Sequence, residues 1–301
     1  MPDVSVIVPT RDRPAALKGC LRALSRQTLE DALEIIVVDD GSRPGSVTAV
    51  ASEFPRVRVI RTEGRNPAAA RNAGGRAAAG AVICLTDDDC EPAPDWAARL
   101  AATVREGAAA SAGRTVVPPD SSRASVASQI IADFLVERSR GPARHVSFAP
   151  TNNLACRSAL LAELPFDESY PLAAGEDRDW CARLVDAGYT LVFEERARVV
   201  HATDGQGAFW RRNYNYGRGS QRFRTAHRAV GRREPMGFYA ALVREGFRRG
   251  PAVGALICIA QVATATGRLR EIISPARSSR DGPLPPSPEA AARAPDRTSV
   301  P

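Results

Sequence analysis

The pattern of hydrophobic positions divides the first ninety residues into alternating strands and helices. Short apolar runs predict buried strands, and between them apolar residues recur at the i, i+3, i+4, i+7 spacing of amphipathic helices, as in the stripe from Leu17 to Leu24. Strands that alternate with helices form βαβ units, so we expect an α/β fold with a mostly parallel sheet flanked by helices. The predicted strands are 4–8, 33–38, 57–60 and 81–85, and the predicted helices between them are 14–24, 47–54 and 67–79.

The remainder of the chain is less regular. A helix is predicted at 173–187 and a strand at 189–193, and a strongly basic stretch at 205–250 precedes an apolar block at 251–266. After Ser274 the chain is rich in Pro, Ser, Arg and Ala, which predicts a disordered tail. The predicted domains are an α/β domain at 1–204, a basic helical extension at 205–273 and a disordered tail at 274–301.

The composition of the 301 residues is that of an ordinary globular protein. Hydrophobic residues make up 44% and charged residues 25%, which excludes global disorder. The six cysteines are scattered without a CxxC pair, a pattern typical of reduced thiols rather than of a disulfide framework or a zinc cage. Since the first residues also lack the charged and apolar regions of a signal peptide, we expect a cytoplasmic protein.

The net charge of +7 is unevenly distributed. Residues 1–200 carry 24 basic against 27 acidic side chains, whereas residues 201–301 carry 17 against 7, a balance of +10. A basic C-terminal third indicates an anionic partner, whether phosphate, a membrane surface or nucleic acid.

Polar clusters follow three of the predicted strands, where ligands of parallel sheets bind. None is a familiar phosphate-binding loop, because the chain has no GxGxxG after the first strand and no GxxxxGK[ST]; it also lacks the GxSxG nucleophile turn. Asp39 and Asp40 follow the second strand. Their carboxylates would accept hydrogen bonds from ribose hydroxyls or a base N–H, unless they serve only to brace a turn.

Three consecutive carboxylates, Asp87, Asp88 and Asp89, follow the fourth strand. Adjacent carboxylates repel one another, and Mg²⁺ or Mn²⁺ bound to diphosphate oxygens would relieve that repulsion. A solvated acidic turn accounts for the same residues equally well.

A second acidic cluster opens the predicted helix at 173–187. Asp177, Trp180 and Leu184 share one stripe of this helix. We therefore expect Asp177 on the inward face, where partial desolvation raises the pKa of a carboxyl group and suits a general base. Glu176 lies about 100° around the helix from Asp177, so we expect the two side chains to face different sides.

Two further side chains are candidates. Arg71 lies on a helix rich in small residues, where it would either pair with a diphosphate or face solvent. His201 follows the strand-like segment 197–200 and is a candidate metal ligand, although a lone histidine is more often an ordinary core or surface residue.

Six short motifs follow one another along about two thirds of the chain. They are VSVIVPT at 4–10, VVDDGS at 37–42, ARNAG at 70–74, LTDDD at 85–89, NNLA at 152–155 and GED at 175–177. In this order the set resembles the family 2 glycosyltransferases, enzymes of the GT-A fold that use nucleotide-sugar donors. The resemblance implies a GT-A type sheet, Rossmann-like in its layers, over about residues 3–204.

The resemblance also implies a role for each matching position. Asp177 would be the base of an inverting transfer with Glu176 beside it, and Asp89 would hold the metal ion with His201 as a further ligand. The residues implied for donor binding are Pro9, Thr10, Arg11, Asp39, Asp40, Arg71, Asp87 and Asp88. Those implied for the sugar or acceptor side are Asn152, Asn153 and Trp180.

The expected enzyme is thus an inverting, non-processive glycosyltransferase that uses a UDP- or GDP-sugar and Mg²⁺ or Mn²⁺ and acts on a glycan, a lipid or a natural product. Processive members carry a QxxRW motif, and the nearest string here, QRFR at 221–224, has no RW. One alternative is a non-catalytic nucleotide-sugar binder, which would not need Asp177. The other is a nucleic-acid-binding protein, which would leave both acidic clusters unexplained, so we expect no nucleic-acid partner.

The basic and apolar segments of the C-terminal third predict peripheral attachment to the inner face of the membrane. No run of eighteen apolar residues occurs, and the block at 251–266 would reach about 24 Å as a helix, short of the roughly 30 Å hydrocarbon core. We therefore favour a helix lying on an anionic membrane surface over one that crosses it. The equally supported alternative is a buried helix that closes the catalytic domain, with arginines of 205–250 lining the acceptor cleft.

Overall fold

One eight-stranded sheet organises the chain. The computed structural model describes residues 2–29, 32–201, 206–227 and 234–274. The strands are β1 Val4–Thr10, β2 Leu33–Asp40, β3 Val57–Thr62, β4 Val82–Leu85, β5 Cys90–Pro92, β6 Ala110–Val116, β7 Leu154–Arg157 and β8 Leu191–His201. The α-helices are α1 Pro14–Leu24, α2 Ser46–Ala51, α3 Pro67–Ala77, α4 Trp96–Arg105, α5 Arg123–Arg138, α6 Ser158–Glu163, α7 Glu176–Asp186, α8 Gln206–Ala226, α9 Met236–Arg248 and α10 Pro251–Ile273.

The sheet is parallel in its first half and mixed in its second. In the strand order β3-β2-β1-β4-β7-β6-β8-β5, the first four strands pair parallel, whereas β7 is antiparallel to both of its neighbours. Strands β6 and β8 are again parallel, and β5 is antiparallel at the outer edge. The predicted α/β fold is confirmed. The carboxyl ends of β1, β2 and β4 meet at one side of the sheet, which we call the carboxyl edge.

Apolar side chains of the central strands alternate between two layers of helices. Val6 and Val8 of β1 belong to the cluster formed with α1, α2 and α4, while Ile7 belongs to the cluster formed with α3, α6 and α7. Both faces of the sheet are therefore covered, which is why its strands are nearly continuous apolar runs in the sequence.

Most predicted elements of the first two hundred residues are confirmed, and the differences have local causes. The helix predicted at 173–187 is α7, which begins three residues later because Gly175 before it has a φ of 94°, outside the helical region. The strand predicted at 189–193 and the strand-like segment 197–200 are parts of one strand, β8, which continues through a register shift against β6. The predicted disordered tail lies outside the described residues except for Ser274.

Helices α8, α9 and α10 pack on α5 around a third apolar cluster, which includes Ile257. We call α8, α9 and α10 the C-terminal helical layer. The backbones of α8 and α10 are in near contact where they cross. A Cβ atom added to Gly217 would lie 2.1 Å from the carbonyl oxygen of Thr264, and one added to Gly267 would lie 2.0 Å from that of Tyr214. Only glycine at both positions permits this crossing.

One side of α10 is buried and the other is exposed. Ile257 and Ala260 are buried against the layer, whereas Val262 is 58% and Leu269 57% exposed. The helix has 23 residues, or about 35 Å, so the length limit derived from 251–266 is wrong. Among the described residues, α10 is the one helix long and apolar enough to cross a membrane, and 33% of its most apolar window is buried. The helix thus closes the domain on one side and exposes apolar side chains on the other.

Candidate active site

The carboxylates at the end of β2 brace the loop that follows. Asp39 accepts hydrogen bonds from the backbone N–H of Ser42 at 2.8 Å and from the guanidinium of Arg61 at 2.6 Å. Asp40 accepts one from the hydroxyl of Thr62 at 2.7 Å. Both carboxylates are buried at the carboxyl edge and fixed in orientation, and their predicted contact with a nucleoside stays a prediction.

The last residue of β1 contacts the acidic turn through its hydroxyl group. Thr10 donates a hydrogen bond to Asp88 at 2.7 Å. Arg11 turns the other way and donates to the carbonyl of Gly64 at 3.2 Å, and Pro9 is half-buried within β1. Of these three predicted donor ligands, Thr10 is therefore the one that contacts the acidic turn.

Two arginines divide the acidic turn after β4 into separate ion-pair systems. Arg13 contacts Asp88 at 2.7 Å and Asp89 at 2.8 Å. Asp87 is instead bound by Arg71 at 3.0 Å. The repulsion expected among the three carboxylates is therefore relieved in part by the protein's own cations.

The pKa values of the two carboxyl groups held by Arg13 shift in opposite directions. Burial raises the pKa of Asp88 to about 7, with Arg13 and Thr10 opposing the shift. Burial also acts to raise the pKa of Asp89, but the hydrogen bond and charge of His201, together with Arg13, hold it well below its usual range. Asp89 is therefore a carboxylate at neutral pH, which is the state that a metal ligand requires.

Asp89 and His201 are spaced as two ligands of one ion would be. The Oδ1 atom of Asp89 and the Nε2 atom of His201 are 3.3 Å apart, and adjacent ligands of an octahedral ion with bonds of about 2.1 Å lie about 3 Å apart. Cys90 belongs to the same cluster, whose ligand atoms lie within 4.8 Å of one another. Burial raises the pKa of its thiol well above the usual value, and a soft sulfur ligand suits Mg²⁺ or Mn²⁺ less well than the oxygen of Asp89 does. The carboxylate and the imidazole fit a divalent cation.

Arg71 joins three elements at the carboxyl edge. From α3 it reaches Asp87 in the acidic turn and Glu176 at the start of α7, at 3.0 and 3.1 Å. Burial acts to lower the pKa of Arg71, but the two carboxylates outweigh it and raise the pKa, so the guanidinium stays charged. The solvent-facing alternative for Arg71 is wrong, because the side chain is buried in this ion-pair network.

The helical stripe predicts that Asp177 lies on the inward face of α7, but Glu176 is the more deeply buried of the two. Glu176 is 4% exposed and faces Arg71, whereas Asp177 is only half-buried, although Trp180 and Leu184 of the same stripe are fully buried. The reason is that the buried side of the first turn of α7 meets the guanidinium of Arg71 rather than apolar side chains. Burial raises the pKa of Asp177 above its usual value. Both acidic side chains line one cavity.

This cavity has a volume of about 310 Å³ and lies between the carboxyl edge and helices of the C-terminal half. None of the described residues of β1 or β2 lines it. Polar side chains from the α/β side include Asp87, Asn152, Asp177 and His201. Those from the C-terminal helical layer include Arg212, Tyr216, Gln261 and Arg268. Residues of α10 thus line the cavity and Arg212 of the basic stretch reaches it, as the alternative to membrane attachment requires, although α10 is only partly buried.

Two residues predicted for the acceptor side lie in the core instead. Trp180 is fully buried, and its indole N–H donates to the carbonyl of Leu164 at 2.8 Å. Asn153 is also fully buried; it accepts a hydrogen bond from Trp96 at 2.8 Å and donates to the carbonyl of Ala197 at 3.1 Å. The acceptor-side prediction for Trp180 and Asn153 is therefore wrong. Among the three predicted residues, Asn152 is the one that reaches the cavity.

Two solved structures share the fold over most of this chain. The mannosyltransferase PcManGT from Pyrobaculum calidifontis, solved with GDP-Man and Mn²⁺, aligns with a TM-score of 0.59 at 22% identity and covers 97% of this chain and 78% of its own. GalNAc-T7, solved with UDP, GalNAc and Mn²⁺, aligns with a TM-score of 0.59 at 16% identity over 91% of this chain and 56% of its own. The fold is that of the GT-A glycosyltransferases.

The family follows from the sequence. The model for glycosyl transferase family 2 matches residues 5–164, more than half of the chain. The chain therefore belongs to glycosyl transferase family 2, and it is a glycosyltransferase, as the ordered motifs predicted. The match ends just after α6, so Glu176 and Asp177 of α7 lie beyond it.

Two relatives with similar sequences are also named as glycosyltransferases. Glycosyltransferase AglE of Haloferax volcanii is 28% identical over 228 residues, which is 73% of each chain. The pre-mycofactocin glycosyltransferase of Mycobacterium tuberculosis is 28% identical over 207 residues, which is 66% of this chain but 42% of that protein. This chain thus spans less than half of the second relative.

Proposed function

We propose that the chain is an inverting, non-processive glycosyltransferase that moves a sugar from a nucleoside diphosphate with the help of a divalent cation. The observation that carries the proposal is that Asp177, the candidate base, and His201, a candidate metal ligand, line the same cavity. Direct displacement at an anomeric carbon needs a base on the acceptor hydroxyl and a Lewis acid on the leaving diphosphate. The α/β side of the cavity offers both, because Asp177 can serve as the base and His201, together with Asp89, can hold the cation.

We assign the nucleoside of the donor to the ends of β1 and β2. Asp39 and Asp40 hold oriented, buried carboxylates there, and the hydroxyl of Thr10 connects this position to the acidic turn. The diphosphate would then extend toward Asp89, and the sugar would enter the cavity. GDP-Man in one structural neighbour and UDP in the other support a GDP- or UDP-sugar as the donor.

We assign the cation to Asp89 and His201. The Mn²⁺ ions of both structural neighbours support a divalent cation, and an imidazole ligand favours Mn²⁺ over Mg²⁺. When bound, the cation supplies Lewis-acid stabilisation of the negative charge on the departing diphosphate. Arg13 holds the Asp89 carboxylate from the other side, which fixes its orientation.

We assign the general base to Asp177. The oxygen of the acceptor hydroxyl bonds to the anomeric carbon, the bond from that carbon to the diphosphate oxygen breaks, and the hydroxyl proton passes to the carboxylate of Asp177. Attack from the side opposite the leaving group inverts the anomeric centre. Glu176 stays in its ion pair with Arg71 and positions the first turn of α7.

A panel of UDP- and GDP-sugars, incubated with the chain and Mn²⁺, tests the proposal. We expect mass spectrometry to detect turnover of one donor, one or few sugars added per acceptor, and NMR to show an inverted anomeric configuration in the product. A retained configuration would contradict the displacement, and long products at early time points would contradict the non-processive assignment. Failure to bind either UDP or GDP in calorimetry would reject the donor class.

We also propose that the outer side of α10 attaches the protein to the inner face of an anionic membrane. Ile259, Val262 and Leu269 are 44%, 58% and 57% exposed on that helix. On α9, Phe247 is 51% exposed, and Arg248 next to it is also exposed. Apolar side chains beside cations are the composition that binds the interface of an anionic bilayer.

A further inference from the structure

Two arginines on the helical side of the cavity form no ion pair with a described carboxylate, and three of their nitrogen atoms have no hydrogen-bond partner. Nε and Nη2 of Arg212, and Nε of Arg268, are inaccessible to solvent and have no hydrogen-bond partner among the described residues. Both side chains line the cavity. Burying a charged donor without an acceptor is unfavourable, so a ligand that accepts hydrogen bonds from these side chains would stabilise the arrangement.

Other arginines of the same layer are paired. Arg218 and Arg222 of α8 contact Glu271 of α10 at 2.8 and 2.6 Å. The crossing of α8 and α10 therefore supplies a buried carboxylate to two cations and none to Arg212 or Arg268. The difference lies in position, because the unpaired side chains are the ones that line the cavity.

The acidic side chains of the cavity do not compensate these two charges. Asp87 and Glu176 are bound to Arg71, and Glu234 is bound to Arg138. The remaining acidic lining residue is the candidate base. The helical side of the cavity therefore carries an excess of positive charge next to the position at which an acceptor hydroxyl would be activated.

We propose that Arg212 and Arg268 bind a phosphate group carried by the acceptor, an inference that rests on the proposed function. Two guanidinium groups match a phosphate monoester, which has a charge of about −1.5 to −2 at pH 7 and three acceptor oxygens. The acceptor is favoured as the source because the cavity contains Asp177 but no described residue of β1 or β2, where we assign the nucleoside.

Calorimetric titration of the full chain with inorganic phosphate in EDTA tests the site without donor or metal. We expect Arg212→Gln and Arg268→Gln each to weaken phosphate binding by roughly tenfold or more. Arg211→Gln and Arg270→Gln, which change exposed neighbours on the same helices, are the matched controls and should bind phosphate as the wild type does. The Tm of each variant, compared with that of Arg211→Gln and Arg270→Gln, separates lost binding from lost folding.

A parallel titration with UDP and GDP in the presence of Mn²⁺ separates the acceptor from the donor. We expect nucleotide affinity to be unchanged in Arg212→Gln and Arg268→Gln. Phosphate binding equal to that of the wild type in both variants would overturn the site. Weakened nucleotide binding would overturn its assignment to the acceptor. Since phosphate binding is measured without sugar transfer, a wild type that binds phosphate but turns over no donor would reject the proposed function alone.

Competition identifies what carries the phosphate. Vesicles that contain phosphatidic acid represent a lipid-borne monoester, and a soluble hexose phosphate represents a free one. If one probe displaces inorganic phosphate from the wild type and neither displaces it from Arg212→Gln, the site is supported. The probe that succeeds shows whether the phosphate is carried by a lipid or by a soluble sugar. Displacement by neither probe in the wild type would overturn the site.

Discussion

The charged side chains on the two sides of the cavity differ in whether they form ion pairs. At the carboxyl edge, Arg71 holds Asp87 and Glu176, and Arg13 holds Asp88 and Asp89. On the helical side, Arg212 and Arg268 form no ion pair with a described residue, whereas Arg71 and Glu176 are ion-paired even though one atom of each lacks a hydrogen bond. The first arrangement fixes the geometry of the reacting groups before any substrate arrives. The second leaves hydrogen-bonding capacity for a ligand, which in our proposal is the phosphate group of the acceptor.

The largest loss is expected at the carboxyl edge, from Asp89→Ala. A cation that stabilises the leaving diphosphate contributes several kcal/mol to the transition state, so turnover should fall by about 10³-fold or more. Rates with and without Mn²⁺, and Tm as a check of folding, measure the effect. Asp95→Ala, at the start of α4, is the control and should retain its rate. Full activity of the wild type in EDTA would exclude the role of the cation.

Asp177→Asn should produce a loss in kcat alone. Removal of a general base costs about 10²–10⁴-fold, while the affinity for the donor nucleotide should stay the same, because the nucleoside binds elsewhere. Asp186→Asn, an exposed change at the other end of α7, is the matched control. A kcat within a few-fold of the wild type would assign the base to another residue.

The ion pairs at the carboxyl edge should also contribute to folding. Arg71→Met removes the cation from two carboxylates, one of which is buried, and should lower the free energy of unfolding by about 3–5 kcal/mol. Lys18→Met breaks an exposed pair with Glu53 and should cost about 1 kcal/mol or less. Urea titration measures both values. Equal costs for the two variants would show that the network does not stabilise the fold.

The rate should fall on the acid side of neutrality. Burial raises the pKa of Asp177, so the carboxylate gains a proton at a higher pH than an exposed aspartate would and then cannot accept one from the acceptor. The kcat of the wild type should therefore decrease as the pH falls through that raised pKa. The acid limb should disappear from the residual activity of Asp177→Asn. A limb that persists unchanged in this variant belongs to another group.

The smallest expected effect lies outside the cavity, at the outer side of α10. Flotation with anionic vesicles should show binding at low salt that weakens at high salt, at up to about 1 kcal/mol per arginine. Val262→Gln should reduce binding, whereas Ala263→Ser, on the buried side of α10, should leave the vesicle contact intact. Absence of binding at low salt would reject the membrane proposal.

Strands of the sheet could be predicted where burial on both faces produces a run of apolar residues. Strands β1 and β2 are covered on both faces, and their apolar runs at 4–8 and 33–38 predicted them. Strand β6 was not predicted, because it has the sequence ASAGRTV and is buried through small and polar residues. Strand β5, with three residues, is too short for any period to show.

The candidate site was predictable in its acidic residues and not in their partners. The triad after β4 is conspicuous because like charges are adjacent, but Arg13 is 75 positions away from Asp88, and nothing local distinguishes it from Arg11. The deeper burial of Glu176 than of Asp177 depends on Arg71, more than a hundred positions earlier. Arg212 was visible only as part of the basic stretch at 205–250, and Arg268, beyond the apolar block at 251–266, was not singled out, because pairing is a property of the folded chain.

The glycine crossing of α8 and α10 limits how acceptor choice can change in evolution. The two backbones already touch at Gly217 and Gly267, so a larger side chain at either position would push the helices apart and displace Arg212 and Arg268 with them. Exchange of a lining side chain such as Gln261 would leave this crossing in place. The crossing therefore fixes where the two arginines stand, and the lining side chains are the positions that can vary without moving them.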